Sequence, residues 1–261
     1  MKFDGLVKIM ARLRGPDGCP WDLAQTLSDL RPFIMEEAME VVDAIDSGNR
    51  LCVFEELGDL LFEIVFAARI LEEEGVCDMD DIIAAIAEKM IERHPHIFGD
   101  KILTTAEEVS KSWEEIKAEK RSSDSVLDGV SESLSALVVA EKYGRRASEI
   151  GFDWKHVEDV IAKLNEEIDE LNDAIKGGGR SDIEDEIGDM LFTVVNISRS
   201  VGVNPELALR KTNRKFSNRF RHMEKHAGES GRSFREMDID EMERLWQNAK
   251  EVLKNRDREI E

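Results

Sequence analysis

Aromatic residues make up only 6% of the 261-residue chain, with a single tyrosine, and just five prolines interrupt it. Strands draw on aromatic and β-branched residues repeating with a period of two. No such run stands out, so a sheet architecture is excluded and an all-α fold is expected. Cysteine is scarce as well. Cys19, Cys52 and Cys77 all lie in the first half without zinc-type spacing, which argues against a disulfide framework or a structural zinc site. Positive charge is in deficit, with 36 Lys and Arg against 57 Asp and Glu and a net charge of -21, so an extended nucleic-acid backbone is not an expected partner. Long apolar runs are missing too, since the stretch 60–71 is broken by Glu63 and Arg69. With no signal-peptide pattern after Met1-Lys2-Phe3-Asp4, a cytoplasmic protein without membrane spans is expected.

What the chain does have is an acidic signature written twice. Glu36-Glu37-Ala38-Met39-Glu40 is followed by Glu56-Leu57-Gly58-Asp59, and Glu166-Glu167-Ile168-Asp169-Glu170 by Glu186-Ile187-Gly188-Asp189. Each copy reads EExxE, 15 residues, ExxD, and the copies lie 130 residues apart (166 minus 36). On a helix, residues three and four apart share a face, so Glu37 with Glu40 and Glu56 with Asp59 project side by side, as do Glu167 with Glu170 and Glu186 with Asp189. Like charges at that spacing cost roughly 0.2–0.5 kcal/mol per pair. No Lys or Arg between Phe33 and Asn49 offsets them. A hard divalent cation with oxygen ligands would do so, and a solvated acidic face is the plainer alternative for a single copy. Duplication with identical internal spacing favours the cation.

Helices are expected over 3–13, 30–45, 53–71, 157–175 and 181–200. On 30–45, Met35, Ala38, Met39, Val42 and Ile45 are available for a core face. Ser181 and Glu184 have capping-box spacing at the start of 181–200. Short turns at Ser47-Gly48-Asn49 and Gly177-Gly178-Gly179 make each helix pair antiparallel, so that four carboxylates converge on one cation site in each half. The repeat extends further. Gly18-x-x-Trp21 matches Gly151-x-x-Trp154, Lys89-x-x-x-Arg93 matches Lys215-x-x-x-Arg219, and Trp113-x-x-x-Lys117 matches Trp246-x-x-x-Lys250. The basic pairs are candidates for holding phosphates, with ordinary surface charge as the alternative. Trp21 and Trp154 read as core, Trp113 and Trp246 as core or interface anchors. His94-Pro95-His96 reads as structural, with Pro95 ending a helix. These correspondences divide the chain into residues 1–120, a linker at 121–131, and 132–261. The last residues, 255–261, read as a frayed, charged tail.

Taken together, EExxE and ExxD with Cys19-Pro20-Trp21-Asp22, Arg93-His94-Pro95-His96-Ile97-Phe98, Gly151-Phe152-Asp153-Trp154 and Trp246-x-x-x-Lys250 resemble the MazG family of nucleoside triphosphate pyrophosphohydrolases over nearly the whole chain. The resemblance implies two tandem, related helical-bundle MazG-like domains. It implies Mg2+, with Mn2+ as a substitute, and hydrolysis of a nucleoside triphosphate to the monophosphate and pyrophosphate, in a homodimer. By the same resemblance Glu167, Glu170, Glu186 and Asp189 are metal ligands, Glu166 orients or deprotonates water, and Lys215, Arg219, Trp246 and Lys250 hold the nucleotide. The first-half counterparts are Glu37, Glu40, Glu56, Asp59, Glu36, Lys89, Arg93, Trp113 and Lys117. Asn196 stands where the first half has Phe66, and in the family an Asn on this helix accompanies nucleotide sites, which favours the second half as the better nucleotide site, with its activity dominant. A Nudix box, a P-loop and a Glu-x-x-His di-iron site are each incomplete or absent in the sequence. A non-catalytic metal- or nucleotide-binding helical scaffold is the alternative from another functional class.

Overall fold

The structure of the protein, a computed structural model, describes residues 2–119, 125–131, 133–229 and 233–260. Its described residues are all-helical, with no strand. The chain divides into two compact units, Met1–Ser122 and Ser123–Glu261. Of the linker expected from sequence, residues 121–124 lie outside the described residues.

The first unit contains α1 (Phe3–Leu13), α2 (Pro20–Ala24), α3 (Leu27–Ser47), α4 (Arg50–Glu73), α5 (Met79–Arg93), α6 (Pro95–Phe98) and α7 (Ala106–Glu119). Its centre is the antiparallel hairpin of α3 and α4. At the turn Gly48 adopts φ 74°, a left-handed conformation that suits glycine at a helix end. Asn49 then caps α4 by accepting a hydrogen bond from the Leu51 N–H at 3.1 Å. Pro32 falls inside α3 and withholds one backbone donor from the Ser28 carbonyl. The Arg31 side chain supplies a replacement at 3.0 Å. α1 packs on the second half of α4, and Met10, Leu30, Val65, Phe66, Ala68, Ile70 and Met79 form the core. Fully burying such large apolar side chains contributes roughly 1.5–3 kcal/mol each. Arg14 clips the end of α1 to the end of α4 through Glu73, at 2.7 Å.

The second unit repeats the plan with α8 (Ala136–Glu149), α9 (Val157–Gly177), α10 (Arg180–Ser200), α11 (Pro205–Glu229), a 3-10 turn at Phe234–Glu236 and α12 (Ile239–Ile260). α9 and α10 form the hairpin, Gly178 takes the left-handed position at φ 77°, and α8 packs on α10. The tail read as frayed continues the helix as far as Ile260.

Three local expectations are corrected. The core face of α3 is Leu30, Val41 and Ala44, while Met35, Met39 and Ile45 are exposed. The packing of α1 and α4 selects a face rotated from the one that the methionines suggested. The Ser181–Glu184 capping box does not form, because α10 starts one residue earlier at Arg180 and that arginine pairs with Glu184 at 3.0 Å. The reciprocal capping pattern occurs instead between Asp78 and Asp81 at the start of α5. Finally, Trp21 is 54% exposed and Trp154 40% exposed, so neither is core. Trp21 sits on the first turn of the five-residue α2, with the Phe33 ring edge-on to it at 5.9 Å.

Candidate metal centre and phosphate clamp

The two hairpins gather three of the four expected acids in each half. One carboxylate oxygen each from Glu37 on α3 and from Glu56 and Asp59 on α4 lie within 4.8 Å of one another. Glu167 on α9 with Glu186 and Asp189 on α10 form the same group in the second unit. Glu40 and Glu170 stand at the edge of these groups. Their charges act on Glu56 and on Glu186 respectively.

This crowding shifts the proton affinities of the acids. Burial, then the charges of Glu40, Asp59, Glu56 and Glu36, push the Glu37 carboxyl above the ordinary glutamate range. Glu56 is raised by burial and by Glu40 and Asp59, and Glu186 by burial and by Glu170, Glu167 and Asp189. Carboxylates whose ionisation is opposed by burial and by one another, as at Glu37, Glu56 and Glu186, suit a divalent cation. The donor set is all oxygen, which matches a hard ion of the Mg2+, Mn2+ or Ca2+ type and not a thiolate- or imidazole-seeking one. Among the described residues, neither three-carboxylate group includes a histidine or cysteine.

Two features beside these groups were not singled out from sequence. Lys163 on α9 places its ammonium 2.6 Å from Glu166 and 2.9 Å from Glu167, and these two acids raise its proton affinity. At the same register the first unit has Phe33 (163 minus 130). The i, i+3 and i, i+4 spacing of Lys163 to the two acids was the available signal. In the first unit, Glu63 lies four residues beyond Asp59. Burial, then Glu37 and Asp22, raise its carboxyl, and its Oε2 is buried without a hydrogen-bond partner. The second unit has Thr193 there, also buried.

The basic and aromatic residues pair with each other. The Arg93 guanidinium of α5 lies 5.3 Å over the Trp113 ring of α7, and Arg219 of α11 lies 5.4 Å over Trp246 of α12. Such cation–π contacts hold a planar cation in place while leaving its N–H groups free to meet an anion. Phe216 backs Trp246 at 5.3 Å, and His94 backs Trp113 at 4.9 Å. The His94 Nδ1 stands 2.6 Å from the Met90 carbonyl, in keeping with the structural role expected of it. Pro95 ends α5 and opens α6. Lys117 is ion-paired with Glu114 at 3.0 Å, while Lys89 and Lys215 lie one turn before Arg93 and Arg219 and Lys250 one turn beyond Trp246. No hydrogen bond or ion pair among the described residues joins clamp to acids within either unit.

Asn196 is 1% exposed. Its Nδ2 donates to the Phe192 carbonyl at 3.1 Å, and its Oδ1 accepts from Arg199 at 3.3 Å. Arg199 in turn holds Asp153 at 2.8 Å and keeps that carboxyl below the ordinary aspartate range. The counterpart Phe66 is fully buried beneath the Arg14 guanidinium.

Comparison with known proteins agrees with this duplicated geometry. The MazG nucleotide pyrophosphohydrolase domain matches twice, at residues 25–98 and 155–224, each span enclosing one hairpin and its acids. The nucleoside triphosphate pyrophosphohydrolase of Escherichia coli (strain K12) is 42% identical over 255 residues, covering 95% of this chain and 97% of the relative. The nucleoside triphosphate pyrophosphohydrolase/pyrophosphatase MazG of Thermotoga maritima is 41% identical over 250 residues, 95% of each chain. A crystal structure of a mazG-related protein from Thermotoga maritima aligns with 28% identity and a TM-score of 0.39, over 44% of this chain and 98% of that one. With two paired-helix acid groups, two Arg-on-Trp clamps and this double match, the chain belongs to the MazG nucleotide pyrophosphohydrolase family.

Proposed function

We propose that the protein hydrolyses nucleoside triphosphates to the nucleoside monophosphate and pyrophosphate with Mg2+, Mn2+ serving as a substitute. The observation that carries this reading is the carboxylate triad within 4.8 Å on each hairpin, in a chain so similar to named nucleoside triphosphate pyrophosphohydrolases. The bound cation would supply charge neutralisation on the phosphate oxygens and a lowered pKa for water. Glu167, Glu186 and Asp189, with Glu170 beside them, would hold it in the second unit, and Glu37, Glu56, Asp59 and Glu40 in the first.

The remaining work falls to the chain's own groups. Phosphoryl transfer needs positioning and charge stabilisation more than covalent chemistry. Lys215, Arg219 and Lys250 bind the triphosphate, with Trp246 packed near the nucleotide and fixing the guanidinium. Lys89, Arg93, Lys117 and Trp113 do so in the first unit. Glu166 orients the attacking water and accepts its proton. The Lys163 ammonium, 2.6 Å from Glu166, orients that carboxylate. Glu36 has no such neighbour, since Phe33 stands at the position of Lys163. That difference supports a dominant second half, with the first half a weaker catalyst or a cation- and nucleotide-binding unit.

The described residues contain no helix long and apolar enough to cross a membrane, and the reading places the enzyme in the cytoplasm without a nucleic-acid partner. It also takes the enzyme to be a homodimer. Phe54, Leu51, Met35 and Ile45 leave one side of the first hairpin apolar and exposed, a surface suited to a second copy. The test is a panel of canonical, deoxy and damaged nucleoside triphosphates incubated with Mg2+, with the products separated. Monophosphate plus pyrophosphate is expected. Diphosphate plus phosphate, or no turnover of any member, contradicts the proposal. Light scattering tests the dimer.

A further inference from the structure

We propose that Gly144 and Asn196 form a packed pair that fixes α10 against α8, making Asn196 a positioning residue of the second-half site instead of a group that touches substrate. The inference rests on the reading of that site given above. Asn196 is seven residues, two turns, beyond Asp189 on α10, and so continues the helix face that carries Glu186 and Asp189. It does not open toward solvent. Its carboxamide is buried in the contact between α10 and α8, and both of its polar ends have partners within the protein.

Gly144 makes that burial feasible. A glycine inside a helix costs roughly 0.5–1 kcal/mol relative to alanine, so a buried one calls for a packing reason. Here a Cβ on residue 144 would come 2.6 Å from the Asn196 Oδ1 and 3.2 Å from the Arg199 Nε. Both distances are shorter than a comfortable carbon contact, and the carboxamide that would have to shift is buried and hydrogen-bonded. In the register that aligns Trp21 with Trp154 (154 minus 21 is 133), the first unit has Ala11 in place of Gly144. It has Phe66 in place of Asn196. In the first unit alanine goes with the phenyl ring, and in the second glycine goes with the amide held by Arg199.

A double-mutant cycle tests the pair, in a background carrying Glu37→Gln and Glu56→Gln so that the metal measurement reports the second unit. Gly144→Ala is expected to lower kcat and Mn2+ affinity, read by electron paramagnetic resonance, by about tenfold, the scale that small displacements of a site bring. Asn196→Ala does the same, and the Michaelis constants for ATP, GTP, CTP and UTP keep their rank order. In the Asn196→Ala background, adding Gly144→Ala changes either quantity by less than about twofold, since the clash has been removed. If Gly144→Ala fails to fold, the double variant should fold again; failure of both overturns the pair. Additive losses overturn it as well. So does an Asn196→Ala variant with unchanged Mn2+ affinity whose Michaelis constant rises for some nucleotides and not others. Should no nucleotide be hydrolysed by the parent protein, the Mn2+ cycle still decides this inference independently of the proposed activity.

Discussion

The two hairpins carry the same acids at the same register, yet their surroundings have diverged. Beside the second triad stands Lys163, paired with Glu166 and Glu167, and the foot of its helix is locked by Asp153, Arg199 and Asn196. Beside the first triad stands Phe33, the acid count is increased by Glu63 and Asp22, and the helix foot is closed by Phe66 under Arg14. A duplicated ligand set therefore does not imply duplicated chemistry. Both halves keep the carboxylate triad, whereas the Lys163 ion pair to Glu166 has no counterpart at the first half's register position, where Phe33 stands.

Replacing the proposed base is the strongest way to break this comparison. Glu166→Gln is expected to lower kcat by about 10²–10⁴-fold, the usual contribution of general-base catalysis, while Glu36→Gln changes it by less than about threefold. Steady-state kinetics on the same nucleotide decide between them.

Metal removal comes next. Chelation should abolish turnover, and Mg2+ or Mn2+ should restore it while raising the melting temperature. The rise should be greater at neutral pH than at acidic pH, where the raised carboxyls compete for protons. The sign follows from the direction of the shifts. Glu37, Glu56 and Glu186 bind protons more readily folded than unfolded, so the metal-free protein gains stability from them as pH falls through their raised values. Glu73 and Asp153 are held low by arginine, so their stabilisation is present above the ordinary carboxylate range and is lost as pH falls through their lowered values. Melting curves across pH, with and without metal, separate the two groups.

Lys163→Met sharpens the contrast between the halves. It should lower kcat by about tenfold in steady-state kinetics, because Glu166 loses the ion pair that orients it. The smallest effect expected is on stability alone. Asp153→Asn should cost about 1 kcal/mol in urea unfolding, since the pair with Arg199 is partly exposed and only one charge is removed.

Much of the fold was legible because its signals are local. The hairpins follow from Gly48 and Gly178 between amphipathic runs, and the two triads from the spacing of EExxE and ExxD. What sequence could not give was the environment around those helices. Met35, Met39 and Ile45 have helical periodicity, but which face is buried is decided by how α3 packs on α4. Trp21 and Trp154 looked like core by residue type, and their short or irregular segments leave them open. The capping spacing at Ser181 lost to a helix that begins at Arg180. Lys163 is legible in its i, i+3 and i, i+4 spacing to Glu166 and Glu167, while the fit of Gly144 against Asn196 depends on how closely α8 approaches α10, which no spacing encodes.

The central claim is that catalysis resides in the second half while both halves keep a cation site. Its most direct test is the turnover of Glu170→Gln and Glu40→Gln measured side by side under saturating Mg2+. A large loss for Glu170→Gln, with Glu40→Gln close to the parent, is the predicted result; equal losses in the two variants would contradict it.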